Sequence, residues 1–340
     1  MNMDNFYLEH QTGLLIPNEQ KESLTPLENG CIETSVTPLT KLPLDILTSL
    51  RTLRDTNMSL ERKLNHFGTV RDEYIEYWNR YQKIVIMEED ELIGINLGGL
   101  MVRIVTFIPF LESCQHHNIK LKSINLGGTD AQMNNLLTSL NSYGDNITSI
   151  KELYLGGCSI SCFKKIEQLA QVLKLCTSLT ILDLRYNDLT DSDMEKIAPM
   201  LSRTIKVLHL EGNQIHCDGT KALADNILSN EEKSSNKGTN ATISSIEELY
   251  LGSNNIGPEG AQHIANSLLS NSSLTKLYLE ANKIGNDGAK AFTHVLKDQN
   301  NQECKTLRHL YMDNNGLDKE VAIELGRAVN QNSMIDGTLF

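Results

Sequence analysis

The sequence has no long apolar run. Nowhere do about 18 consecutive apolar residues occur, the least a membrane-spanning helix needs, and the opening MNMDNFYLEH brings an acidic Asp4 where a secretory signal would place an apolar core. The chain is therefore expected to be made as a soluble protein. Clustered positive charge is missing as well. Lys and Arg number 31 against 43 Asp and Glu, and both Met1–Asp90 (9 against 15) and the remainder (22 against 28) lean acidic. A surface that tracks phosphates needs a basic patch, so neither nucleic acid nor an anionic membrane is the expected partner.

An even cysteine framework is also lacking. The seven cysteines, Cys31, Cys114, Cys158, Cys162, Cys176, Cys217 and Cys304, are odd in number and scattered, which suits free thiols in a reducing, cytoplasmic compartment, or a host cytosol for a secreted effector. There is no GxxxxGK(S/T) phosphate loop, HExxH zinc helix or GxSxG nucleophile turn, so nucleotide hydrolysis, metalloprotease and esterase chemistry have no motif to stand on. Cys114 with His116 and His117, or Cys158 with Cys162, could suggest a metal, but their places in the pattern described next make them core or loop residues. No nucleophile, base and orienting acid group together. The expectation is no enzyme, no cofactor, no metal and no catalytic residue.

What is present is a repeat. The stretches SIEELYLGSNNI, SLTKLYLEANKI and TLRHLYMDNNGL align with apolar residues at four common places and Asn254, Asn282 and Asn315 at a fifth. The template recurs eight times, centred on Ile95, Ile124, Leu153, Leu182, Leu208, Leu249, Leu277 and Leu310, at spacings of 29, 29, 29, 26, 41, 28 and 33 residues. Within each copy the alternation seen in Leu249-Tyr250-Leu251 has the period of a strand with one buried face. The following stretch has the helical period: Ala261, Ile264, Ala265 and Leu268 share one face, as do Ala289, Phe292 and Val295. A unit this short cannot bury its own apolar side, so neighbours must stack on one continuous core. The expected fold is α/β: a solenoid bent into a horseshoe, with a parallel sheet on the concave side, helices on the convex side and a helical N-terminal cap. The template asparagines are expected to satisfy the backbone of adjacent turns. Leu100, Thr129 and Cys158 replace them in the first three copies.

The phrase LxLxxNxIGxxGAxxIAxxL, read from Leu249 to Leu268, resembles the ribonuclease-inhibitor class of leucine-rich repeats, and the resemblance extends over roughly Glu91 to Gln331. It is specific for architecture and much less so for function. The class includes enzyme inhibitors, small-GTPase activators, actin regulators and the sensor portions of immune receptors. The repeats are also similar to those of Ran GTPase-activating proteins, which would imply GTPase activation. This sequence has no arginine in a matching loop and no strongly acidic C-terminal tail, so no catalytic residue is carried over. An actin-regulating role of the tropomodulin kind and a bacterial effector acting in a host cytosol use the same kind of binding surface.

Outside the repeats, residues 1–40 are polar and lack periodicity, and are expected to form a flexible tail. From Leu42 to Gln82 the spacing is helical, first through Ile46, Leu47, Leu50 and Leu53, then through Leu60, Leu64, Phe67, Val70, Tyr74 and Trp78. Residues 41–90 are accordingly expected to cap the first repeat, and the run LPLDIL only faintly resembles the start of an F-box. Ser229–Ser244 is expected to be an exposed loop. The repeat domain spans 91–331 and a C-terminal tail 332–340, whose Thr338-Leu339-Phe340 formally suits a carboxylate-capturing pocket.

Strand spacers must point into the concavity. The central column reads Asn96, Asn125, Tyr154, Asp183, His209, Tyr250, Tyr278 and Tyr311, and the next reads Gly98, Gly127, Gly156, Arg185, Glu211, Gly252, Glu280 and Asp313. Tyrosine suits strands and stacks along a sheet, yet amphipathic rings on a rigid face are also what protein-binding hot spots use. Tyr154, Asp183, Arg185, Tyr186, His209, Glu211, Tyr250, Tyr278, Glu280, Tyr311 and Asp313 are the candidate partner-binding residues. The expectation is a monomeric, non-enzymatic scaffold or inhibitor that holds another protein, one with a basic surface, on its concave face.

Overall fold

The computed structural model describes residues 6–8, 15–17, 43, 45–46, 48–49, 85–88, 91–98, 104–128, 133–161, 163–228, 245–297, 306–331 and 337–339. Most of the expected tail and cap helices, the 229–244 loop and Cys31, Cys162 and Cys304 lie outside the described residues. The chain divides into two compact units, Met1–Ile150 and Lys151–Phe340.

In the first unit, β1 (Phe6–Leu8) pairs antiparallel with β2 (Leu15–Pro17) inside the stretch expected as a tail. Residues 45–46 and 48–49 are helical, Ile46 is fully buried, and Asp45 bonds His117 at 2.9 Å. The expected helical cap ends differently from the sequence reading. Val85–Glu88 (β3) is a strand that pairs antiparallel with β4 (Glu91–Asn96), because β-branched Val85 and Ile86 favour the extended backbone. β4 pairs parallel with β5 (Ser123–Asn125). Helices α1 (Ile104–His116) and α2 (Met133–Asn141) accompany these strands, and Ile95, Phe107, Phe110, Ile124, Leu137 and Leu140 are fully buried. Asn96 and Asn125, expected to face solvent, are only 9% and 4% exposed. Each folds back on its own loop, accepting from Gly98 N at 3.2 Å and Gly127 N at 2.9 Å.

The second unit is more regular. Strands β6 (Glu152–Tyr154), β7 (Ile181–Asp183), β8 (Val207–His209), β9 (Glu248–Tyr250), β10 (Lys276–Tyr278), β11 (His309–Tyr311) and β12 (Gly337–Leu339) pair parallel in sequence order. They pair in register, so Leu153, Leu182, Leu208, Leu249, Leu277 and Leu310 form one row, each with 0% exposure. The helices of the repeats are α3 (Phe163–Leu175), α4 (Asp191–Ile197), α5 (Cys217–Leu223), α6 (Gly257–Ser267), α7 (Gly285–Lys297) and α8 (Lys319–Gln331). Ile264, Phe292 and Leu325 of the last three are fully buried, and a leucine so buried contributes roughly 2 kcal/mol. Residues 337–339, expected as tail, pair with β11. Thr338 and Leu339 therefore belong to the sheet rather than to a free carboxy-terminal motif.

The template asparagines form an internal ladder. Asn282 is fully buried, and its Nδ2 donates to Leu251 O of the preceding repeat at 2.9 Å and to Leu279 O of its own at 3.0 Å. Asn187, Asn213, Asn254 and Asn315 repeat the pattern, each donating to carbonyls of its own repeat and to one in the repeat before. Cys158, where the asparagine is missing, still uses its backbone N to donate to Asn187 Oδ1 at 2.9 Å. The residue before each ladder position turns left-handed: Gly157, Tyr186, Gly212, Ser253, Ala281 and Asn314 all have positive φ. For a non-glycine residue that conformation costs on the order of 1 kcal/mol, and the asparagine bonds on either side hold it.

Candidate protein-binding site

All eleven candidate residues lie in the second unit. The parallel register sets side chains at one repeat position a strand apart, about 4.8 Å, which is near the stacking distance of flat rings. His209 stacks on Tyr250 at 4.2 Å between centroids, Tyr250 on Tyr278 at 4.2 Å and Tyr278 on Tyr311 at 4.5 Å, with interplanar angles of 18°, 10° and 11°. The central column is thus a four-ring ladder. Each ring is half-buried. Stacking covers the faces of the two inner rings, so those rings offer a partner their edges rather than a face for cation–π contact.

The ladder has two flanks, and only one was legible beforehand. On the flank nearer the strand entries stand Glu248, Lys276 and His309, each immediately before a core leucine and missed by the column reading. Glu248 accepts from Tyr250 OH at 2.6 Å and Lys276 Nζ at 2.7 Å. Burial alone would raise the Glu248 carboxyl, but the hydrogen bonds from Lys276 and Tyr250 outweigh it and hold the group below its usual range. Burial first, and the bond to Glu248 second, push the Tyr250 phenol up, so it stays a donor. The strand-entry flank is therefore internally neutralised. The repeated Glu-Leu-Tyr of β6 and β9 was the signal for this pairing.

The strand-exit flank is different. Asp183, 7% exposed, holds Arg185 Nε through both carboxylate oxygens at 2.9 Å. Glu211 Oε1 lies 3.0 Å from His209 Nδ1. Beyond them, Glu211 Oε2 and Glu280 Oε2 are buried atoms with no hydrogen-bond partner. Burial raises the Glu280 carboxyl, and the charges of Glu211 and Asp313 raise it further against a lowering backbone bond. Tyr154 stands apart from the ladder, its OH 3.4 Å from Glu152 Oε2. Tyr186 is in the left-handed loop position, 64% exposed, with its ring against Gly212. It rims the face instead of joining the ladder.

Among the described residues no three His, Cys, Asp or Glu side chains converge to hold a metal. Cys114 and Cys176 are buried thiols that desolvation pushes up to about 12, which makes them poor thiolates and poor ligands. His116 and His117 are exposed, with their rings edge to face at 4.9 Å.

Residues 175–198, 201–224, 242–265 and 270–292 match the family model for a leucine-rich repeat, each match holding one strand of the second unit and all or part of the helix that follows it. This part of the chain carries leucine-rich repeats. No curated protein sequence matches it. Among solved structures the repeats are similar to leiomodin-1 actin-binding site 2, with TM-score 0.36, 20% identity and coverage of 49% of this chain and 88% of that one. They are similar to an internalin from Listeria monocytogenes, with TM-score 0.37, 16% identity and coverage of 74% and 67%. A third is the leucine-rich-repeat-containing protein LegL7 from Legionella pneumophila, with TM-score 0.38, 18% identity and coverage of 73% and 82%. Among the described residues no helix is long and apolar enough to cross a membrane.

Proposed function

We propose that this leucine-rich-repeat protein is a monomeric, cytoplasmic scaffold or inhibitor of the ribonuclease-inhibitor type, without enzymatic activity, that holds a partner protein on the open sheet face of residues 151–340. The observation that carries this reading is the four-ring ladder. Rings fixed by their neighbours lose little conformational freedom on binding, and their half-buried edges present apolar area beside polar groups, the composition of hot-spot residues. Tyr154, Asp183, Arg185, Tyr186, His209, Glu211, Tyr250, Tyr278, Glu280, Tyr311 and Asp313 are the contact residues in this proposal. The acids among them favour a partner with a basic surface.

The test is affinity capture with the intact protein and two variants in parallel. The triple variant Y250A/Y278A/Y311A removes the ladder, whereas Y250F/Y278F/Y311F keeps the stack and removes the hydroxyls. A partner retained by the intact chain should be lost with the alanine variant, while a denaturant melt shows the unit still folded. Retention by the folded alanine variant at wild-type affinity would refute the reading.

A further inference from the structure

Resting on the reading that this face binds protein, we propose that the partner seats a lysine or arginine on the strand-exit flank of the ring ladder, against the carboxylates of Glu211 and Glu280 on either side of Gly252. The two flanks are chemically unequal. On the strand-entry side Glu248 already holds Lys276 and the Tyr250 hydroxyl, at 2.7 and 2.6 Å, so an incoming cation would displace bonds rather than add them. On the strand-exit side the one arginine, Arg185, is gripped by both oxygens of Asp183. The repeats that follow bring Glu211, Gly252 and Glu280 to successive strands, with a buried, unpartnered oxygen on each of the two acids.

Gly252 shapes the place between them. A Cβ at this position would lie 2.5 Å from Glu280 Oε1 and 2.7 Å from Glu280 Cδ, so the Glu280 carboxylate lies directly over the glycine backbone, where any side chain would displace it. Leaning that way brings it toward Glu211. The edges of Tyr250 and Tyr278 border the same place. A lysine or arginine stem can lie along such edges while its charged head meets the carboxylates. Charge complementarity therefore selects a basic partner segment and also its orientation, with the cation toward the strand exits and the apolar contacts toward the strand entries.

The probe is an end-capped octa-arginine peptide, with the uncharged octa-citrulline peptide as its isostere, titrated into the full chain and followed by fluorescence anisotropy. Two charge-matched double variants are compared. E211Q/E280Q removes the proposed cation site, and E195Q/E259Q removes two exposed helix carboxylates. Octa-arginine should bind the intact chain, octa-citrulline should bind at least tenfold more weakly, and E211Q/E280Q should weaken octa-arginine by about tenfold while E195Q/E259Q changes it less than about twofold. Gly252→Ala, which displaces Glu280 by adding one methyl group, should weaken it as well. Equal losses in the two double variants, equal binding of the two peptides, or no binding of octa-arginine would overturn the proposal. A natural partner lost on ring removal yet indifferent to E211Q/E280Q would overturn this inference and leave the protein-binding reading standing. Indifference to ring removal would overturn the reading itself.

Discussion

The two units solve the same strand position in opposite ways. In the first, Asn96 and Asn125 turn back to cap their own loops through Gly98 N and Gly127 N, leaving a face of short amides and glycine. In the second, His209, Tyr250, Tyr278 and Tyr311 stack on one another across four strands. An amide that serves its own loop needs nothing from the neighbouring repeat. A ring needs another ring one strand away. Asp183 marks the change within the second unit, because its Oδ1 still accepts from Arg185 N at 3.0 Å in the manner of the asparagines. The repeat backbone is indifferent to what fills this column, so a contiguous run of rings reports a specialised surface.

The largest effect that could break this comparison comes from removing the rings. In Y250A/Y278A/Y311A the second unit should lose roughly 3 kcal/mol, about 1 kcal/mol for each stacked ring, seen as a lower midpoint in a urea melt. An unchanged midpoint would mean the stack contributes nothing to the fold. Asn282→Ala comes next, at about 2 kcal/mol, because it strands the carbonyls of Leu251 and Leu279 in the core while deleting almost no apolar area. Asn125→Ala in the first unit should cost less, about 1 kcal/mol, since it releases the loop bond from Gly127 N. If Asn125→Ala proved the more damaging of the two, the distinction between local caps and an inter-repeat ladder would fail.

The smallest effect has the opposite sign. The Glu280 carboxyl is raised in the folded chain, first by burial and then by Glu211 and Asp313, so its protonated form fits the fold better than its charged form. The stability this provides is present below the unfolded-state value, near 4.5, and is lost as pH rises through the folded value. Glu280→Gln should therefore stabilise the protein at neutral pH by less than about 1 kcal/mol, the limit set by solvent screening of a half-exposed group. The gain should vanish on acidification, and paired thermal melts at neutral and acid pH would measure it.

Much of this arrangement was legible in the sequence, for a physical reason. Period-two alternation around Leu249, Leu277 and Leu310 and a fixed asparagine position determine register, and register determines that the tyrosines align. Four strands escaped because they do not repeat, the β1–β2 pair of the expected tail among them. Val85–Glu88 pairs antiparallel and lacks the template, and Gly337–Leu339 pairs through its backbone with no apolar signature of its own. The Glu248–Lys276 pair was missed because its partners are 28 residues apart, and only a stacked register shows that the distance is a single strand step. What the column did not show is that Asn96 and Asn125 are almost covered, because a short amide can reach its own loop, which a tyrosine cannot.

The most direct test of the central claim is to place a photo-crosslinking p-azidophenylalanine at position 278, in the ladder, or at position 195, on the helix side, and irradiate each with the captured partner. A covalent adduct is expected from position 278 and none from position 195. Adducts from position 195 alone would contradict that claim and move the binding surface to the helices.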